Sequence, residues 1–219
     1  MTQDGLSTPA IDGVDEWLEL VEQALEGLHH ALNNRIGSLS ALVELRQMGD
    51  ATADSARMEG MAGDLARLAE ANRAIGLLTR GGSADEPLIM DDVLADVFAI
   101  HQFIHDVRDL QVTIVPTRYV EPVRVQRWAL LRVLVLLLKD AKRLAKHTNA
   151  VVRAATESDE QSVRVEFRIG APLVADTPAA PTRYAELVAS TFGGTVSSRA
   201  GVAELRLPTL KARRAAARQ

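Results

Sequence analysis

The sequence predicts an α+β chain: a long antiparallel helical hairpin followed by an α/β sandwich with helices on one face of a mixed sheet. Three observations lead there. Leu18, Leu25, Leu32 and Leu39 recur every seven residues, with Val21, Leu28 and Leu42 between them and Arg35 as the one break, which is the spacing of a coiled-coil or bundle helix. Met58, Met61, Leu65, Leu68, Ile75 and Leu78 form a second amphipathic run. Beyond Gly82 the pattern becomes short and mixed, with helical stretches alternating with strand-like ones, as in a layered α+β domain.

Taken in order, residues 1–12 are expected to be a disordered tail. The first helix should run from about Val14 to Met48 and end at Gly49-Asp50, and Gly81-Gly82 should stop the second. Two long helices joined by a short turn make a hairpin. A lone hairpin cannot bury both apolar faces, so two copies are expected to pair into a four-helix bundle, making the chain a homodimer. The hairpin spans 13–82. Ser83–Pro87 reads as a linker, 87–210 as the second domain and 211–219 as a frayed basic tail. Within that domain, Asp91–Val107 is expected to be helical and Gln111–Val115 a strand ended by Pro116. Val125 to about Lys146 should form a strongly apolar helix. Ala150–Ala155 and Ser162–Ile169 read as a strand pair around the polar turn Glu157–Glu160. Pro181 opens a short helix ending near Phe192. Gly193-Gly194 then leads into strands Thr195–Ser198 and Ala203–Leu207.

Bulk properties narrow the function. The chain has 219 residues, 47% of them hydrophobic, enough to bury a sizeable core. Its net charge of −4 argues against nucleic-acid binding, which leaves a basic footprint. It contains no cysteine, so disulfides, thiol catalysis and cysteine-ligated metals are excluded. The N-terminus has no apolar signal core, and no apolar run approaches the length of a membrane span. The expectation is a cytoplasmic protein that binds neither nucleic acid nor membrane.

The richest stretch for chemistry is Leu28-His29-His30-Ala31-Leu32-Asn33-Asn34-Arg35. With Leu25 and Leu32 at heptad position a, His30 falls at f, opposite the seam, and His29 at e, on the flank. A neutral imidazole nitrogen is a good phosphoryl acceptor near neutral pH. Asn34 lies one turn after His30 on the same face, where it could bond a phosphoryl group or orient a water. The bland alternative is two surface histidines on a polar stripe, and a slip of one residue in register would exchange His29 and His30. His101 and His105 have the i,i+4 spacing that can chelate zinc, but no further ligand pattern accompanies them, and no metal site is expected. Lys139, Lys142, Arg143 and Lys146 form a basic cluster that reads as a solvated helix face.

His30-Ala31-Leu32-Asn33-Asn34 resembles the phosphoacceptor box of bacterial sensor histidine kinases, which has a histidine, an acidic neighbour, and Asn or Thr one turn later. The resemblance runs in order over roughly residues 14–208. Pro87–Gln111 is similar to the helix and strand that follow the family's hairpin. Pro122–Leu134 is similar to the approach to its nucleotide-binding Asn helix, Ala185–Val196 to its last helix, Gly pair and strand, and Leu205-Arg206-Leu207-Pro208 to its closing strand. It implies a GHKL (Bergerat-type) sandwich behind the hairpin, and the departures imply that this sandwich is degenerate. The two magnesium- and phosphate-holding asparagines of the family correspond to Leu136 and Asp140. Phe167–Pro172 stands where an Asp-x-Gly-x-Gly loop reads adenine and has no aspartate. Ala179-Ala180-Pro181-Thr182 replaces a second glycine loop, whose backbone must approach phosphates closely, and Leu173–Ala180 is too short for a normal ATP lid. The acidic neighbour of the histidine is Ala31.

The resemblance therefore implies a dimeric histidine phosphotransferase of a phosphorelay. His30 would be the phosphoacceptor, Asn34 a positioning residue and a response-regulator receiver domain the partner, with no cofactor. A pseudokinase scaffold that binds a kinase or response regulator is the alternative, and a divergent ATP-dependent kinase a distant third.

Overall fold

In a computed structural model the described residues are 14–47, 54–79, 84–115, 117, 119–145, 150–170, 181–199 and 201–217. The expected tail 1–12, the turns at Gly49-Asp50 and Gly81-Gly82, the lid segment Leu173–Ala180, and Lys146 lie outside them.

Helices α1 (Val14–Gln47) and α2 (Asp54–Thr79) form the hairpin. Strand β1 (Glu86–Leu88) then leads into α3 (Met90–His101), followed by β2 (Gln111–Val115), β3 (Val123–Val125), α4 (Arg127–Leu144), β4 (Val151–Ser158) and β5 (Ser162–Ile169). The chain closes with α5 (Arg183–Thr191), β6 (Thr195–Arg199), β7 (Val202–Pro208) and α6 (Leu210–Ala216). The main sheet has the order β2-β4-β5-β7-β6; β2 runs parallel to β4 and the other neighbours are antiparallel. The fold class is the α+β hairpin-plus-sandwich expected from the sequence.

Alternation decides which face of the sheet is covered. Val152 and Ala154, Val163, Val165 and Phe167, and Ala203, Leu205 and Leu207 point inward and are buried, as the two-residue period of a strand requires. They pack against α4, whose run Leu130–Leu138 is almost wholly buried because the helix lies between the sheet and the hairpin. After α5, Gly193 takes φ +73°, the left-handed C-terminal position that glycine fills without strain. The Gly194 N–H donates to the Ala189 carbonyl at 2.9 Å, turning the chain into β6.

Four local expectations need correction. The segment read as a linker ends in β1, which pairs antiparallel with β3. The expected helix Asp91–Val107 stops at His101, and turns follow. The apolar helix begins at Arg127 rather than Val125, which belongs to β3. The C-terminal stretch is not frayed: Thr209 caps α6 by accepting from the Ala212 N–H at 3.0 Å. Arg213 holds that helix down through Asp85 and the carbonyls of Arg124 and Phe192.

The hairpin does not stand apart from the sandwich. Trp17, Leu20, Ala24 and Leu28 of α1 and Leu68, Ala71, Ala74, Ile75 and Leu78 of α2 are buried in the same cluster as the α3 and α4 side chains. This contact covers the N-terminal half of α1. Past Leu28 no described residue of α1 is buried.

Candidate phosphoacceptor helix and closed nucleotide site

His30 lies on α1 two residues beyond the last buried residue, Leu28. Its side chain is 72% exposed, and Nε2 stands 3.7 Å from the Glu26 carboxylate one turn earlier. At about 100° per residue, His30 points about 140° away from Leu25, while His29 stands only about 40° from it. This matters because Leu18, Leu25, Leu32, Ile36 and Val43 form an exposed apolar stripe along α1, and His29 borders it. His29 is also engaged: the Asn33 side-chain amide donates to its Nε2 at 3.2 Å. Asn34 is exposed one turn after His30, and its backbone carbonyl accepts from the Ser38 hydroxyl at 2.9 Å. His30 and Asn34 thus share an open face, while the half-buried Ala31 packs against the core.

The heptad leucines and the buried residues of α1 lie on different arcs. The described chain covers the Trp17-Leu20-Ala24-Leu28 arc with its own C-terminal domain, whereas Leu18, Leu25 and Leu32 remain uncovered. Of the seam expected from the sequence, Leu28 belongs to the buried arc, whereas Trp17, Leu20 and Ala24 stand outside that seam. Trp17 was the available signal, a large aromatic outside the heptad seam.

Among the described residues, those matched to a nucleotide site do not offer its ligands. Leu136 is fully buried in the core of α4. Asp140, one turn on, is buried and accepts from the Thr182 backbone N–H at 3.0 Å, the Thr182 hydroxyl at 2.9 Å and Arg143 at 3.2 Å. Thr182 is the residue before α5, so a carboxylate of the chain itself sits at the helix N-terminus, the place that favours an anion. Burial pushes the Asp140 carboxyl above its usual 3.8, and the Thr182 bonds and Arg143 counter part of that. Phe167 is fully buried, its ring 6.4 Å from that of Phe98, and Ile169 is buried behind it. This donor set does not fit magnesium and a triphosphate: a leucine cannot coordinate, and the one carboxylate is already bonded to the opposite wall.

The remaining candidates resolve simply. His101 ends α3 and its Nδ1–H donates to the Phe98 carbonyl at 2.7 Å, while His105 lies in the following turns, 4.0 Å from Asp106. The two do not share a helix. Among the described residues no cluster of three or more His, Asp or Glu side chains could hold a metal ion, and no helix is long and apolar enough to cross a membrane. Two members of the basic cluster, expected to be solvated, instead face α1: Lys139 pairs with Glu19 at 3.5 Å and Asp106 at 3.1 Å, and Arg143 with Glu16.

No protein-family model and no curated protein matches this sequence. Among solved structures the chain is similar to the histidine kinase AdeS of Acinetobacter baumannii, at 16% identity and TM-score 0.44, covering 82% of this chain and 96% of that one. It is similar to the mycobacterial sensor histidine kinase MprB at 14% identity and TM-score 0.44, over 57% of this chain and 98% of that one. It is also similar to the histidine kinase ThkA, solved in complex with the response regulator TrrA, at 15% identity and TM-score 0.43, over 90% of this chain and 64% of that one. These solved structures are histidine kinases or parts of them.

Proposed function

We propose that this chain is a dimeric histidine phosphotransferase of a two-component phosphorelay, passing a phosphoryl group between His30 and receiver-domain aspartates without ATP. The supporting observation is an exposed imidazole on the hairpin combined with a sandwich in which Leu136 is buried and Asp140 is bonded to Thr182, the two positions that resemble the family's nucleotide-helix asparagines. In the transfer, the lone pair of a neutral His30 nitrogen attacks phosphorus, the P–O bond to the receiver aspartate breaks and its carboxylate leaves. The other ring nitrogen then gives up its proton to water. An acyl phosphate is a reactive donor and the receiver brings its own magnesium, so the alanine beside His30 is tolerable. Asn34, exposed one turn after His30, would hydrogen-bond the transferred group. A second copy of the chain, covering the apolar stripe of α1, leaves His30 pointing outward and crowds His29.

The test joins calorimetry with ATP and magnesium to phosphotransfer from a panel of phosphorylated receivers. The expected result is no ATP binding and phosphate on the protein, lost in His30→Ala and retained in His29→Ala. Phosphate that depends on His29 overturns the site. No transfer from any receiver turns the reading to a scaffold that binds a kinase or response regulator. Saturable ATP binding returns the chain to the ATP-dependent kinases.

A further inference from the structure

We propose that the C-terminal domain is clamped to the hairpin in one fixed pose and does not swing as a separate unit. This goes beyond the phosphotransfer reading and does not depend on it.

The clamp has three polar clasps on one continuous core. The first is Arg132 of α4. Its guanidinium lies between two indoles, 5.0 Å from the Trp17 ring of α1 and 4.4 Å from that of Trp128. It donates to the Leu78 carbonyl at 3.0 Å and to the Tyr184 hydroxyl at 3.1 Å. Leu78 is in the last turn of α2, whose carbonyls have no partner within the helix; no basic residue of α2 itself lies there. Arg132 therefore caps α2 while stacking on α1 and holding α5, a set of roles that suits the planar fork and flat faces of arginine.

The second clasp is the buried Asp96 of α3, which pairs with Arg127 of α4 and, at 3.2 Å, with Arg73 of α2. The third is Lys139, whose side chain is 10% exposed and bridges Glu19 of α1 and Asp106 of the turns after α3. The Asp106 N–H donates to the Gln23 side chain of α1 at 3.0 Å. Asp96 and Lys139 are the buried members of these pairs, and salt screens their charges less than those of exposed groups.

Steric fit closes the joint. A Cβ built on Gly27 would stand 2.1 Å from the Phe103 carbonyl oxygen, so the two backbones meet only because residue 27 has no side chain. Glu16, Glu19, Gln23 and Gly27 succeed one another about one turn apart along α1 and all face the same domain. Opening the joint would expose the indole and leucine faces of the shared core together with these polar groups, all at once. Packed interfaces of this kind have discrete arrangements and do not deform continuously.

The test is double electron–electron resonance on the full chain, which has no native cysteine. Spin labels at Ser40→Cys on α1 and Arg153→Cys on the open face of the sheet report the intrachain distance when labelled chain is diluted into excess unlabelled chain. A clamped domain gives one narrow distance peak. Gly27→Val, which leaves the core of the C-terminal domain unchanged, and the pair Arg132→Ala with Lys139→Ala should each broaden or split it. A broad or multiple distribution without these substitutions overturns the proposal. So does a peak that stays narrow in Gly27→Val with the helical circular dichroism intact. If the double variant fails to fold, Gly27→Val and the unsubstituted chain decide the matter.

Discussion

At the scale of single residues, two buried carboxylates behave differently because of what surrounds them. Asp96 is gripped by two arginines. Its partners Arg73 and Arg127 reach water, so Asp96→Ala should cost about 1–2 kcal/mol through its lost charged hydrogen bonds, read as a fall in the urea midpoint with the slope unchanged. Asp140 carries a folded-state carboxyl pKa raised above 3.8, chiefly by desolvation. A raised carboxyl pKa means that the folded state binds a proton more readily than the unfolded one. The stability it contributes is therefore fully present below 3.8 and is lost as pH rises through the folded value. Asp140→Asn removes the buried charge, but its single oxygen can keep only one of the two Thr182 bonds while its NH2 faces a donor, which should cost about 1–3 kcal/mol at neutral pH. Because the folded carboxyl binds its proton more readily, the melting temperature of the parent should rise relative to that of Asp140→Asn as pH falls toward 4. A parent that instead loses ground to Asp140→Asn on acidification would refute this account of Asp140.

At the scale of elements, the sequence predicted what periodicity specifies and missed what long-range pairing specifies. The hairpin helices, the α4 helix, strands β2, β4, β5, β6 and β7 and the α5 helix all have their own local pattern, and they formed close to where that pattern put them. Strands β1 and β3 have only three residues each, and β1 contains Pro87; proline is confined to sheet edges, so the segment reads locally as a linker. Helix α6 looked frayed because seven residues rich in Lys, Arg and Ala have no apolar face of their own, and its order comes from the Thr209 cap and from Arg213. Arg213→Ala should therefore cost ~1 kcal/mol and speed amide exchange in α6 well before the rest of the sheet. The candidate site divides the same way. The position of His30 on the open face followed from heptad arithmetic. The Asp140–Thr182 closure did not, because nothing local in either residue names the other as its partner.

At the scale of the whole molecule, α1 carries two apolar arcs with different fates. The arc through Trp17, Leu20, Ala24 and Leu28 is covered by the C-terminal domain, while Leu18, Leu25, Leu32, Ile36 and Val43, with Met58 and Leu65 of α2, stay exposed on the single chain. A contiguous exposed stripe of this kind marks an interaction surface, and its seven-residue spacing over the first three leucines suits another helix better than a flat surface. A second copy would supply an identical stripe, and self-complementary pairing of two such hairpins would form a four-helix bundle. Charges placed at the centre of that seam must be desolvated on pairing, so Leu25→Glu with Leu32→Glu should convert a dimer into a monomer in light scattering. The clamp arc and the sheet are untouched by these changes, so the circular dichroism and the cooperative melt of the C-terminal domain should persist in the monomer. A parent chain that is monomeric at tens of micromolar would overturn the dimer, and a double variant that stays dimeric would place the subunit contact elsewhere; in either case the stripe would need a different partner.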